Sequence, residues 1–167
     1  MKKIAVIGSG SWGTALAVMF DKWGHDVTMW SWKEEEAYEI KKNGENKEFL
    51  PGVKIMESLK VTTSPEEAVL GADIIVTAIP STFVRPSIGK FIPYVKPEQI
   101  ILNVAKGMEE STLLRLSQVL SECFPKNEVC VLSGPSHAEE VGRDIPTACV
   151  IASENAKTSK LLQPELM

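Results

Sequence analysis

Three glycines in G-x-G-x-x-G spacing, Gly8, Gly10 and Gly13, follow the apolar run Ile4-Ala5-Val6-Ile7 and lead into Thr14-Ala15-Leu16-Ala17. The order strand, glycine turn, helix suits one kind of chemistry, the holding of a pyrophosphate against backbone amides. Gly8 lets the strand turn sharply, Gly10 removes the Cβ that would collide with the phosphates, and Gly13 lets the helix pack close to the strand. The pyrophosphate is expected over Gly10, Ser11 and Trp12, on the unpaired amides at the positive end of the helix. Trp12 has two readings, core residue or cover of the phosphate turn with its amide toward a cofactor; its place inside the glycine pattern favours the second.

Further polar clusters fall where strands are expected to end. Ser31-Trp32-Lys33 ends the second strand, and no acid follows until Glu34. A dinucleotide site that holds unmodified ribose hydroxyls commonly places Asp or Glu about 20 residues past the glycines. Here Trp32 could stack on adenine and Lys33 could meet a 2′-phosphate, so NADPH is favoured over NADH as the cofactor. Lys106, at the end of an apolar strand and before Gly107, points its ammonium into the same crevice, where it can neutralise a phosphate or stabilise an oxygen gaining negative charge. Ser136-His137-Ala138-Glu139 reads as a capping box, so Ser136 caps a helix whose free amides remain open to an anion.

Positioning these clusters requires an alternating chain. Trp12, Leu16, Met19, Phe20 and Trp23 recur at helical spacing, Gly24 stops that helix, and Asp26 to Trp30 completes a βαβ unit. Apolar runs at 60–62, 73–79, 99–104, 129–132 and 147–152 are the remaining strands. Continuous β-branched runs such as Ile74-Ile75-Val76-Thr77 indicate strands covered on both faces. The fold class expected is α/β, a doubly wound, mostly parallel, Rossmann-like sheet in a single domain. Ser64-Pro65-Glu66-Glu67 opens a helix at about 65–71, residues 34–43 form a charged helix with a solvated face, and Leu113, Leu116, Leu120 and Cys123 mark a helix ended by Pro125.

The chain has 167 residues, 44% of them hydrophobic, and a formal charge of −4. It is large enough for one sizeable core and carries no basic stripe for nucleic acid. No apolar run approaches the roughly 18 residues of a membrane span, which makes a cytoplasmic protein the default. Cys123, Cys130 and Cys149 suggest neither a disulfide framework nor a metal site and read as buried small hydrophobes. His25 is expected to face solvent at a turn, and His137 to be a surface or capping residue.

Taken together, the segments 8–17, Phe49-Leu50-Pro51-Gly52, Ala78-Ile79-Pro80-Ser81, Ala105-Lys106-Gly107-Met108-Glu109 and Leu132 to Val141 closely resemble bacterial NAD(P)-dependent glycerol-3-phosphate dehydrogenase. The resemblance covers nearly the whole chain in the family's order. It implies reversible conversion of sn-glycerol 3-phosphate to dihydroxyacetone phosphate, supplying glycerophospholipid synthesis. It also implies cofactor contacts at Ser11, Trp12, Lys33 and Ala138, contact of Lys106 with both cofactor and substrate, and substrate contacts at Gly134 and Ser136. Pro80 and Phe83 resemble the residues flanking the nicotinamide. Family members often carry His or Arg where Trp32 stands.

The family has a second, all-helical domain that contributes the principal catalytic lysine. Residues 1–155 are therefore expected to be the dinucleotide-binding domain and 156–167 the start of a connection to that domain, with a homodimer possible for the whole protein. The helix expected over 156–162 has no further core to pack against, which suggests a piece of a longer polypeptide, inactive alone. Two other readings stay open: another two-domain dehydrogenase of hydroxy compounds, and a nucleotide-sensing regulatory domain.

Overall fold

The computed structural model describes residues 1–166. The strands are β1 (Lys3–Ile7), β2 (Asp26–Trp30), β3 (Lys60–Thr62), β4 (Ile74–Thr77), β5 (Ile100–Asn103), β6 (Val129–Ser133) and β7 (Val150–Ser153). They form one sheet in the order β3-β2-β1-β4-β5-β6-β7, parallel throughout except for the antiparallel edge strand β7. Side chains alternate between the two faces of each strand. Thus Ile4, Val6, Val27 and Met29 enter one apolar layer, whereas Ala5, Ile7, Trp30 and Ile75 enter the other.

The helices are α1 (Ser11–Lys22), α2 (Glu34–Asn43), α3 (Pro65–Val69), α4 (Val84–Ile88), α5 (Leu116–Cys123), α6 (Ala138–Gly142) and α7 (Ala156–Leu162). Residues of α1, α2, α6 and α7 cover the first layer, and those of α3, α4 and α5 cover the second. Because both faces are covered, the central strands can be continuously apolar, as the doubly wound reading requires. Strand order reverses between β1 and β4, which opens a crevice beyond the carboxyl ends of the parallel strands. No helix among the described residues is long and apolar enough to cross a membrane.

Several local expectations hold. Gly24 ends α1 at φ +85° with its amide on the Asp21 carbonyl, and the Ser64 hydroxyl caps α3 by accepting from the Glu67 amide at 3.3 Å. Others need correction. Leu113 lies outside α5 with φ +58°, because the Glu109–Leu114 turn closes on itself through Leu113 N–H to Glu109 C=O at 2.8 Å. Trp23 is 42% exposed rather than core, and Cys149 is exposed. His25 is no free surface residue: its Nδ1 accepts from the Lys2 amide at 3.1 Å, and its Nε2 lies 2.8 Å from the Glu165 carbonyl oxygen. Finally, α7 does find a core, since its Leu162, with Leu166 in the segment that follows, is buried in the same layer as α1.

Candidate functional site

A cleft of about 680 Å³ runs along the carboxyl ends of the strands, lined at one end by Trp30, Trp32 and Glu36 and at the other by Lys106, Ser136 and Ala138. Its floor is the glycine turn. Gly8 sits at φ +117°, and a Cβ there would stand 2.5 Å from the Ala78 carbonyl oxygen. A Cβ on Gly13 would run into the Gly8 carbonyl oxygen. These two glycines are therefore demanded by the fold itself, one by left-handed backbone and close approach, the other by helix–strand contact.

Gly10 differs from both. Its φ is −66°, which any residue adopts, and a Cβ there would meet nothing within 4 Å. The protein has no internal need for glycine at this position, so the open space belongs to the cleft. The first helical bond of α1 runs from the Thr14 amide to the Gly10 carbonyl at 2.9 Å, which leaves the Ser11, Trp12 and Gly13 amides without intrahelical acceptors. The positive end of a 12-residue helix thus faces the cleft with free donors, a fit to the phosphates of a dinucleotide.

The back of the turn is tied down by a residue that sequence reading passed over. Asn46 is buried, donates from Nδ2 to the Ser9 carbonyl at 2.7 Å and to the Thr14 hydroxyl at 2.9 Å, and accepts from the Phe49 amide at 3.2 Å. It joins the glycine turn to the Phe49-Leu50-Pro51-Gly52 segment, and Phe49 itself lines the cleft. A single asparagine in an irregular stretch carries no spacing signal that could have revealed this.

The Trp12 indole follows the core reading, and only the amide keeps the place that the favoured reading gave it. That amide is at the helix start, while the indole is half-buried against the core and donates from Nε1 to the Val104 carbonyl at 3.1 Å. The indole therefore forms a wall of the cleft rather than a cover over the phosphate turn. It also borders a smaller pocket of about 300 Å³, shared with Lys106, Arg115, Ser133 and Ser136.

Lys106 lines both spaces, and its Nζ donates to the Ser136 carbonyl at 3.1 Å. The turn behind it needs Gly107, whose φ is +108° and where a Cβ would press on the Ser81 side chain. The following segment is clamped by Arg85, which donates to both carboxylate oxygens of Glu109 at 2.7 and 3.0 Å and to Glu122 at 2.7 Å. Arg85 first, then the Thr112 hydroxyl, lower the Glu109 pKa to about 2, while hydrogen bonds to Glu109 first and then Glu122 raise that of Arg85.

Ser136 is not a cap. His137 is the N-cap residue of α6 without a side-chain bond, and the Ser136 hydroxyl turns back to the Gly134 carbonyl at 3.4 Å. The helix starts one residue later than the capping-box pattern implies, because the Ser136 amide is already engaged by Gly134 at 2.9 Å. Gly134 is packed against the segment leading into β7, where a Cβ would lie 2.5 Å from the Ala148 carbonyl oxygen.

Of the residues expected at the site, Gly8, Gly10, Ser11, Trp12, Trp32, Pro80, Phe83, Lys106, Ser136 and Ala138 line the main cleft. Gly13, Lys33 and Gly134 do not. The Lys33 ammonium lies over the Trp32 ring, 4.5 Å from its centroid. Trp32 and Phe83 are 66% and 60% exposed, apolar surfaces open to a planar ligand. The charged start of α2, expected to be a solvated face, contains an exception: Glu36 lines the cleft and has one buried carboxylate oxygen, Oε1, with no hydrogen-bond partner among the described residues.

Comparison with known proteins places this geometry in a context. A family profile described as the N-terminus of NAD-dependent glycerol-3-phosphate dehydrogenase matches residues 3–159. A glycerol-3-phosphate dehydrogenase (NAD(P)+) of Fusobacterium nucleatum subsp. nucleatum is 47% identical over 165 residues, covering 98% of this chain and 49% of that protein. The crystal structure of glycerol-3-phosphate dehydrogenase from Coxiella burnetii superimposes with a TM-score of 0.93 at 31% identity, covering 99% of this chain and 51% of that one. The corresponding enzyme structure from Saccharomyces cerevisiae gives a TM-score of 0.86 at 25% identity, over 99% of this chain and 54% of that one. The chain spans about half the length of the curated relatives it matches.

Proposed function

The chain belongs to the NAD-dependent glycerol-3-phosphate dehydrogenase family, matching its N-terminal part, and from that premise we propose that it is the cofactor-binding half of an enzyme interconverting sn-glycerol 3-phosphate and dihydroxyacetone phosphate with NAD(P)H. The observation that carries this reading is the cleft itself. It has free helix amides and an unobstructed Gly10 on its floor, and a lysine at its far end.

In this reading Gly10, Ser11 and Trp12 take the pyrophosphate, Trp32 stacks on the adenine, and Pro80, Phe83 and Ala138 flank the nicotinamide. The bound dinucleotide supplies or accepts the hydride. Lys106 is held by the Ser136 carbonyl with its remaining N–H groups free, and it stabilises the substrate oxygen that gains negative charge. The smaller pocket between Lys106 and Arg115 offers two cations to a phosphorylated three-carbon substrate, with Ser136 at its edge. Gly134 acts by shaping this turn.

Residues 1–155 form the dinucleotide domain and 156–167 begin the connection to a helical half. An apolar groove lined by Trp12, Leu16, Met19, Trp23 and Val150 supports such a partner packing beside α1. We place the whole enzyme in the cytoplasm as a supplier of glycerophospholipid synthesis, acting as a homodimer without nucleic-acid partners. Calorimetric titration of the chain with NADH and NADPH tests the reading. Saturable binding of at least one is expected, and absence of both overturns it.

A further inference from the structure

Residues 106–113 have little apolar surface with which to anchor themselves. Met108 and Leu113 are 52% and 72% exposed, and within this stretch Glu109 alone is not exposed. The stretch closes on itself: the Glu109 amide donates to the Leu114 carbonyl at 3.0 Å, the Leu113 amide donates to the Glu109 carbonyl at 2.8 Å, and Met108 pairs with Arg115 across an antiparallel bridge. These bonds give the loop its shape without fixing it to the rest of the domain. Its two ends are held differently. Arg115 is secured by α5, where Leu116 is buried and the Gln118 side chain accepts from the Arg115 amide at 3.1 Å. Lys106 is tied upstream to β5 through the buried Val104, but downstream it has only the loop.

The loop meets the domain at α4 and the turn before it. A Cβ on Gly107 would press on the Ser81 side chain, and the Glu109 carboxylate, 13% exposed, sits in the bidentate grip of Arg85. Two parallel bonds between planar groups fix orientation as well as distance, which a single ammonium contact does not. Segment 81–85 also carries Phe83 into the main cleft. The turn bearing Lys106 and the wall bearing Phe83 thus rest on one element, joined through the Arg85 guanidinium.

We infer that Arg85 is a positioning residue for the proposed reaction: through Glu109 it fixes the loop after Lys106, and so sets where the Lys106 ammonium stands beside the substrate. Arg85 itself lines neither the main cleft nor the smaller pocket. This inference rests on the reading of Lys106 as the group that stabilises the substrate oxygen. Without Arg85, Glu109 keeps the Thr112 hydroxyl and regains water by moving outward, a shift that costs little stability but displaces Lys106.

The test uses the complete enzyme of which this chain is proposed to be half. Arg85→Met and Glu109→Gln, which approach the same contact from its two sides, are each made in the parent and beside Lys106→Ala. Glu122→Gln serves as a control, because Glu122 takes the third Arg85 bond but lies on α5 outside the loop. The kcat/KM for dihydroxyacetone phosphate is measured below every variant's Tm, together with the Kd of NADH. Arg85→Met and Glu109→Gln are each expected to lower kcat/KM about 10-fold, within the roughly 100-fold that a 1 Å misplacement costs, with the NADH Kd and the Glu122→Gln rate held within about twofold. Beside Lys106→Ala the same changes are expected to cost less than about threefold, since the group they position is gone. Parental kcat/KM in both single variants, or the same fractional loss with and without Lys106, overturns the inference. A parental rate in Lys106→Ala itself is a different outcome, and it removes the role of Lys106 along with that of Arg85.

Discussion

Replacing Gly10 and Gly13 separately by alanine distinguishes what the ligand requires of the glycine turn from what the fold requires. At Gly10 the backbone is extended and the added methyl meets no protein atom within 4 Å, so the folded state accommodates it. Loss of chain entropy in the unfolded state and a poorer N-cap roughly cancel, leaving a stability change within about 1 kcal/mol. The same methyl occupies the space through which a pyrophosphate approaches the Ser11 and Trp12 amides. Losing one amide–phosphate bond of about 1.5–3 kcal/mol lowers affinity for NADH by about 10- to 100-fold. At Gly13 the methyl drives into the Gly8 carbonyl, and α1 must move off β1. Overpacking of this kind costs about 1–3 kcal/mol, or roughly 3–10 °C in Tm for a domain of this size. Thermal melts and calorimetric titration of both variants check the pair. Native affinity in Gly10→Ala, or a native Tm in Gly13→Ala, refutes the division of labour.

Three further outcomes follow from the site. In the complete enzyme of which we propose this chain is half, Lys106→Ala lowers kcat/KM for dihydroxyacetone phosphate about 100-fold while changing the cofactor Kd far less; steady-state kinetics with a parallel binding measurement check the split. Asn46→Ala leaves the Phe49 amide without its acceptor and deprives the Ser9 carbonyl of a donor, so Tm falls by roughly 2–10 °C, and an unchanged melt removes Asn46 as the tie behind the turn. The depressed pKa of Glu109, about 2, makes its ion pair with Arg85 a stabilising contribution that is fully present above the ordinary carboxyl range near about 4.3 and lost as pH falls through about 2. Melts between these limits should therefore show a steeper acid decline in the parent than in Glu109→Gln, whereas parallel curves would contradict the contribution.

What could be read from the sequence shares a physical origin. Gly8 and Gly13 announce themselves because no other residue tolerates that backbone and that contact, and the β-branched runs announce buried parallel strands because only two-sided cover permits them. Residues whose role depends on distant partners were not legible. Asn46 and Arg85 acquire their meaning from Ser9 and from Glu109, which lie 37 and 24 residues away respectively. Helix boundaries failed where short-range bonds competed with the pattern. Leu113 fits an apolar helical spacing yet belongs to a turn closed on Glu109, and Ser136 fits a capping box yet turns to Gly134. His25 and Leu166 could not be placed because their partners come from opposite ends of the chain.

The central claim is that the cleft over the glycine turn receives a nicotinamide dinucleotide. Titration of the isotopically labelled chain with NADH, followed by amide and indole NMR shifts, tests it most directly. The account predicts saturable shifts at the Gly10, Ser11 and Trp12 amides and at the Trp12 and Trp32 indoles, all moved to about 10- to 100-fold higher NADH concentration in Gly10→Ala. Saturable shifts confined to the groove around Met19, Trp23 and Val150, or no saturable shifts at all, would contradict it.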